Sequence, residues 1–282
     1  MNLRWILPAF ALLAAGCIKE KMLVVVNGDG SGNIVLDTSL TAEAAAMMQS
    51  TAASFASAFG ETNAAEAVKE ELIKEDELRE RASDFGEGVE FVRLKRTKDA
   101  AGEGAIAVYG FKDVTKIRLP LQKNGGGGGP GDLAEGGEAK PGQAVTFAFT
   151  PGDTKTLKIN VPQEPKDKAA PEKAKDTPAG AEGLEEMGKA MMGPMLQMFK
   201  GLEMSIAVQV KGEVVKSTAA HRQGEKGERA MLMELKFDEL MKSPKFASIF
   251  EKSQGGDMPT TELLGLPGFT FETSPEVVIE FK

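Results

Sequence analysis

The chain has very few of the residue types on which many binding and catalytic sites depend. Its 282 residues include one cysteine, one histidine, one tryptophan and one tyrosine. A single cysteine, Cys17, excludes an internal disulfide. A single histidine, His221, excludes a zinc site built on several histidines and a pair of histidines sharing acid–base work. With Trp5 and Tyr109 as the only rings of their kind, a site that stacks sugars on tryptophan or tyrosine is disfavoured.

The sequence is also short of basic charge and of long hydrophobic runs. Its 34 Lys and Arg stand against 42 Asp and Glu, which gives a net charge of −8. Without a basic cluster, such a chain is a poor binder of nucleic acid or of an anionic membrane. The most apolar run, Trp5–Ala15, is shorter than the roughly 20 residues that span a bilayer. We therefore expect no nucleic-acid partner and no membrane-spanning helix.

The N-terminus has the three-part pattern of an export signal, in which Arg4 is the positive region and an apolar stretch and small residues follow. Ala14–Cys17 resembles the lipobox of bacterial prolipoproteins, in which a lipid is attached to the cysteine and the signal is cut off before it. The resemblance implies a signal peptide over residues 1–16, cleavage between Gly16 and Cys17, and lipid attachment at Cys17. An ordinary export signal followed by a free thiol is the alternative.

The same resemblance implies where the protein works. Ile18 follows the cysteine in place of an acidic residue, which by the sorting rule of such lipoproteins favours the outer membrane. We therefore expect an exported protein that its lipid holds at the cell envelope, on the outer membrane and facing the periplasm. One acyl chain binds only marginally, at about 0.8 kcal/mol per buried methylene, whereas two or three chains anchor stably.

The rest of the chain predicts an α+β fold, in which antiparallel β-sheets built from hairpins pack with a few helices. Two stretches rich in Gly, Pro or charged residues predict disorder, an insertion at 123–142 and a linker at 163–183. We therefore expect two lobes joined by a disordered linker, an N-terminal lobe over residues 17–162 and a C-terminal lobe over residues 184–282.

Alternating apolar residues and turn signals predict the individual elements. Hairpins are predicted over residues 22–37, 145–161 and 204–217. Further strands are predicted at 89–94, 105–111, 115–119, 229–237, 269–272 and 276–281. Helices are predicted at 42–59, 63–83 and 184–199, and a short helix starts at Ser243-Pro244 and buries Phe246, Ile249 and Phe250.

The loop Asn27–Gly32 is the first candidate site. Its oxygen side chains at the first, third and fifth positions and its glycine at the sixth match the first half of an EF-hand calcium loop. The bidentate acid that such a loop needs at its twelfth position is replaced by Thr38. A glycine-rich hairpin turn explains the same residues, because glycine tolerates a positive φ. We favour the turn over the calcium site.

A methionine-rich stripe is the second candidate. Apolar residues recur at helical spacing, at Leu184, Met187, Met191, Met195, Met198 and Leu202. Such a stripe is typical of a helix packed on a sheet, since methionine fills irregular gaps. Two other interpretations stay open. Met187, Met191, Met195 and Met198 form a face for an apolar ligand or partner, or their thioethers bind Cu(I).

No sequence motif indicates catalysis. His221 lies between two predicted strands with no nucleophile motif beside it, and the paired acids Glu70-Glu71 and Glu185-Glu186 are typical of solvated helix faces. We therefore expect no enzyme activity and no cofactor. The predicted function is a non-catalytic binding or structural module for an envelope protein partner or an apolar ligand. A metal-handling lipoprotein for calcium or copper, and a hydrolase with a carboxylate-based site, are the alternatives.

Several strand patterns resemble a family of uncharacterised bacterial envelope lipoproteins. These patterns are Val108–Ile117, the glycine-centred Val208–Ala219, Met231–Phe237, Leu266–Phe269 and Val277–Phe281. The resemblance covers roughly residues 89 to 282, with gaps at the two predicted disordered stretches. It implies a shared α+β fold and carries over no activity and no functional residue.

Overall fold

Strands make up most of the residues that the computed structural model describes, which are 18–41, 74–99, 102–120, 144–163, 200–253 and 260–282. The strands are β1 (Ile18–Val26), β2 (Gly32–Thr41), β3 (Glu90–Asp99), β4 (Gly102–Phe111), β5 (Arg118–Pro120), β6 (Ala144–Thr150), β7 (Lys155–Asn160), β8 (Glu203–Val210), β9 (Val214–Ser217), β10 (Arg222–Gln223), β11 (Arg229–Lys236), β12 (Phe269–Phe271) and β13 (Glu276–Phe281). The helices are α1 (Glu75–Glu80), α2 (Phe237–Leu240), α3 (Pro244–Ser253) and α4 (Thr260–Leu263), with 3₁₀ turns at Arg81–Phe85 and Val114–Lys116. The described protein is thus β-rich with a few helices.

The larger sheet has the strand order β10-β11-β8-β1-β2-β4-β3, and β12 also pairs with β11. β1 and β2 form the hairpin that the sequence predicts, with Val26 opposite Gly32. On its other side β1 pairs with β8 in parallel, Val26 opposite Val210. This parallel pair departs from the expected antiparallel arrangement. Parallel strands need a long connection between them, and the many residues between β2 and β8 provide it.

The smaller sheet has the order β5-β6-β7-β13-β9, and its β6–β7 hairpin confirms the hairpin predicted over residues 145–161. Every second residue of its strands points to the larger sheet, as Leu157 and Ile159 do on β7. These side chains are fully buried and share one apolar cluster with Val24 and Ile34 of the larger sheet. The two sheets therefore form a sandwich around a common core.

The hairpin predicted over residues 204–217 is wrong. The N–H of Lys211 donates to the carbonyl of Val26 (2.8 Å), after which the chain leaves the larger sheet. β9 then pairs with β13 in the smaller sheet, so the glycine at 212 marks a crossing between sheets and not a tight turn. The Lys-Gly pair looks the same in a tight turn and in a crossing between sheets. The outcome here depends on β13, a strand far along the chain with which β9 pairs.

The two-lobe arrangement is not confirmed. β1 pairs with β8 and β7 pairs with β13, so each sheet contains strands from both sides of residues 163–183. The core cluster likewise takes Val24 from before that segment and Ile279 from after it. A linker-like composition predicts a flexible connection, but it does not predict whether strands on its two sides pair with each other.

The other element predictions divide into tested and untested ones. The short helix after Ser243 is confirmed as α3, and Phe246, Ile249 and Phe250 are buried. The strand predicted at 115–119 is a 3₁₀ turn followed by the shorter β5. The predicted helix 42–59, the insertion 123–142 and the helix 184–199 lie outside the described residues. Within the described ranges, no helix combines the length and the apolar character needed to cross a membrane.

Candidate functional site: the Ile18 end of the large sheet

The candidate site is the end of the larger sheet at which β1 begins, hereafter the Ile18 end. Ile18 pairs with Leu40 on β2, Leu40 pairs with Glu103 on β4, and Glu103 pairs with Lys98 on β3. On the other side of β1, Lys19 lies opposite Glu203 of β8. The starts of β1, β4 and β8 and the ends of β2, β3 and β11 therefore meet at one edge of the molecule.

Opposite charges alternate along this edge. The ammonium group of Lys19 lies 2.8 Å from a carboxylate oxygen of Glu203, and Lys98 forms an ion pair with Glu103. At the end of β11, the hydrogen bond from Lys236 to Glu234 raises the pKa of the Lys236 ammonium group. These side chains are partly exposed, so each pair contributes little to stability. The main effect of each pair is to neutralise a lysine with a nearby glutamate.

One strand of this end is strongly basic. β3 is the outermost strand of the larger sheet and carries Arg93, Lys95, Arg96 and Lys98, all exposed, with no acidic residue between positions 91 and 98. We call β3 the basic strand. The run Arg-Leu-Lys-Arg-Thr-Lys is visible in the sequence, but the negative net charge of the whole chain obscures it as a basic site.

The charges of the basic strand lie on both faces of the sheet. Arg93 and Lys95 pair with Val108 and Ile106 of β4, on the outer face of the sheet. Leu94, the residue between them, points the opposite way and packs against the core. Because side chains alternate along a strand, Arg96 and Lys98 share the face of Leu94 beyond the edge of the core.

A partly buried ion pair holds the 3₁₀ turn that follows the first helix against β1. The guanidinium group of Arg81 donates to both carboxylate oxygens of Glu20, at 3.1 and 3.5 Å, and the two side chains are only 15% and 16% exposed. Beside them the hydroxyl of Tyr109 donates to the carbonyl of Leu78 (2.9 Å), and its ring meets the ring of Phe85 edge-on at 4.9 Å. Burial raises the pKa of Tyr109 to about 12.

A second apolar cluster extends the Ile18 end. The N–H of Phe237, at the start of α2, donates to the carbonyl of Leu202, which precedes β8 (3.0 Å). The helices α2, α3 and α4 pack here with the segments before β8 and after α4 around a shared set of buried side chains, which are Leu202, Phe237, Leu240, Phe246, Ile249, Phe250, Leu263 and Leu266. The surface at the Ile18 end is therefore formed by the edge of the sheet together with these helices.

The residues that the sequence singled out as a lipid site or ligand face lie outside the described residues. These residues are Gly16, Cys17, Met187, Met191, Met195 and Met198. Their roles stay predictions. The described chain begins at Ile18, directly after Cys17, and is already part of β1 there.

The loop that resembles half of a calcium site is a hairpin turn at the opposite end of β1. Asp29 accepts hydrogen bonds from the N–H of Ser31 (3.0 Å) and from its hydroxyl (2.6 Å), and these bonds lower the pKa of Asp29. Gly30 has a φ of 83°, which glycine adopts without strain. Thr38 lies in β2 opposite Glu20, at the other end of the strand pair.

His221 is exposed in the loop before β10, and its backbone carbonyl accepts from the N–H of Met231 (2.9 Å). Glu272, a carboxylate that no sequence pattern singles out, lies beside this loop. It is fully buried and accepts from the N–H groups of Ala220 (2.8 Å) and Ser274 (3.0 Å). Glu272 thus ties the loop to the segment before β13. Within the described ranges, no three His, Cys, Asp or Glu side chains come together in a way that could hold a metal ion.

Comparisons with models of protein families, with curated proteins and with solved structures find no match to this chain. The resemblances to bacterial prolipoproteins and to envelope lipoproteins therefore rest on the residues quoted for them above.

Proposed function

We propose that this protein is an exported bacterial lipoprotein, anchored through Cys17, that serves as a non-catalytic module for an envelope protein partner or an apolar ligand. The observation that carries the proposal is the position of β1. The residue after the predicted lipid attachment site, Ile18, is the first residue of a strand in the middle of the larger sheet. A strand advances about 3.4 Å per residue, so an acyl chain on Cys17 would begin within a few ångströms of the sandwich.

This position supports a membrane-apposed module and argues against a tethered one. A lipoprotein that reaches distant targets needs a flexible segment between lipid and fold, and here β1 leaves no residue for it. The Ile18 end would then face the headgroups, and the turns at Asp29 and at His221 would point away from the membrane. A partner that approaches from the periplasm would meet those turns.

The hydrogen bonds of three described carboxylates support a non-catalytic role. Asp29 is held by Ser31, and Asp113 accepts from the N–H and hydroxyl of Thr115, which lowers the pKa of Asp113. Glu272 is held by two backbone N–H groups. Acceptors engaged in this way stabilise turns and loops. They are less available to a substrate than the free carboxylates of a hydrolase site.

Metabolic labelling with a radioactive fatty acid in a bacterial host tests the anchor. The full chain should carry the label and float with membranes, and Cys17→Ser should lose both properties. The matched control is the double variant Cys17→Ser with Ser39→Cys, which keeps one thiol in the chain and moves it to β2. A label on this control, or no label on the unchanged chain, would contradict the proposal.

Native mass spectrometry of the lipidated protein in detergent separates the two kinds of binding. A copurified small mass that disappears on denaturation would favour an apolar ligand. A protein mass with its lipid alone would direct the search to protein partners.

A further inference from the structure

The Lys98 end of the basic strand lies level with the predicted anchor. Lys98 belongs to the same cross-strand row as Ile18, through Glu103 and Leu40. β3 is three strand positions from β1, and neighbouring strands are about 4.8 Å apart, so the two are separated by about 14 Å along the edge. If Cys17 is lipidated, the headgroups next to the anchor are within reach of Lys98. Lys95 and Arg93 lie about 10 and 17 Å further along β3, and they reach the headgroups when the sheet leans onto its outer face.

The charge of the basic strand is only partly neutralised. Lys98 is paired with Glu103. Arg93 and Lys95 are exposed and face the apolar neighbours Val108 and Ile106, and within the described ranges no carboxylate forms an ion pair with either of them. Their positive charge is therefore open to an anionic ligand on the outer face of the sheet.

Two explanations compete for this charge. Lysine and arginine on an outermost strand hinder its pairing with another chain, and that role needs no ligand. The position of the strand beside an anchor favours a second role, because basic residues next to a membrane are attracted to anionic lipids and the anchor keeps them at high local concentration. A protein with a net charge of −8 would otherwise be repelled by such a surface.

We infer that the basic strand docks on the headgroups of anionic phospholipids and fixes the orientation of the sandwich on the membrane. The inference rests on the proposed lipid anchor. In this orientation the sheet leans so that the outer face of β3 turns toward the headgroups, and Lys95 and Arg93 contact the phosphate groups there. Lys98, which is paired with Glu103, lies at the end of the strand next to the anchor. The helices α2 and α3, at the same end, then lie close to the bilayer surface.

The test is lysine footprinting of the lipidated protein on vesicles. The protein is bound to vesicles of phosphatidylcholine, or of phosphatidylcholine with an equal part of phosphatidylglycerol, and its amines are labelled and located by mass spectrometry. Lys95 should label about fivefold more slowly on the anionic vesicles, and high salt should remove the difference. Lys112, which follows the far end of the neighbouring strand β4, should label equally on both.

Two variants separate the explanations. In Arg93→Gln with Lys98→Gln, the protection of Lys95 should be lost while the protein still binds both vesicles. Lys211→Gln with Lys216→Gln removes the same charge at exposed positions outside the basic strand and should leave the protection unchanged. Equal labelling of Lys95 on both vesicles by the bound protein would overturn the inference alone. Failure to bind either vesicle would overturn the anchor, and with it this inference.

Discussion

At the scale of single residues, Tyr109 connects burial to a measurable titration. Its pKa of about 12 in the folded protein lies above the ordinary value of 10.0, because burial disfavours the phenolate. Below pH 10 the phenol is protonated in both states and its contribution to stability is complete. As the pH rises from 10 towards 12, the unfolded chain loses the proton first, so the contribution is lost.

This sign gives a prediction for Tyr109→Phe. The variant loses the hydrogen bond to Leu78 and should be less stable than the unchanged protein by about 1 kcal/mol at neutral pH. The difference should shrink above pH 10, because only the tyrosine can ionise. Urea unfolding at a series of pH values measures it, and a difference that stays constant to pH 12 would contradict the account. Since the chain has one tyrosine, the absorbance of the phenolate reports the titration directly.

The ion pair between Glu20 and Arg81 gives a second prediction at this scale. Arg81→Ala should lower the free energy of unfolding by about 2 kcal/mol, since it leaves a largely buried carboxylate without its charged donor. Lys116→Ala is the control, because its ion pair with Glu87 (2.8 Å) is exposed and should have no measurable effect. Equal loss in the two variants would show that Glu20 finds water in place of Arg81.

At the scale of elements, the crossing at Gly212 depends on one glycine. Gly212 has a φ of 153°, and a Cβ there would overlap the carbonyl oxygen of Lys282. Gly88 also has a positive φ, of 76°, but open space around it. Gly212→Ala should therefore cost about 2 kcal/mol and Gly88→Ala about 1 kcal/mol. Chemical denaturation measures both, and equal costs would indicate that the backbone angle alone matters.

Local sequence patterns predicted the individual strands and helices better than they predicted which strands pair with each other. Alternation and glycine turns gave the β1–β2 and β6–β7 hairpins, and the Ser243-Pro244 signal gave α3. The same signals misjudged Gly212, because the choice between a turn and a crossing depends on β13, more than sixty residues away. The parallel pairing of β1 with β8 has no local signal at all, since it joins segments that are far apart in sequence.

The candidate site was predictable in part. The turn at Asp29 and the solvent-exposed His221 follow from their residues. The basic run is visible in the sequence, but the negative charge of the whole chain obscures its importance. Its proposed role depends on its distance from Ile18, and only the order of strands in the sheet gives that distance. Glu272 could not be recognised, because its burial comes from strands that meet around it in the folded chain.

At the scale of the whole molecule, pairing across residues 163–183 makes the two halves of the chain parts of one structure. We predict that a chain cut by a specific protease at a site introduced into that segment stays together, because β1–β8 and β7–β13 pair across the cut. Gel filtration before and after addition of urea tests this, with the uncut protein as control. Separation of the fragments without urea would mean that the halves are independent lobes.

The central claim is that Cys17 carries the lipid and places the Ile18 end on the membrane. Mass spectrometry of the N-terminal peptide of the mature protein, isolated from a bacterial host, tests it most directly. The account predicts that the peptide starts at Cys17, that residues 1–16 are absent, and that the cysteine carries the added mass of its acyl groups. An unmodified cysteine, or a chain that begins at another residue, would contradict the account.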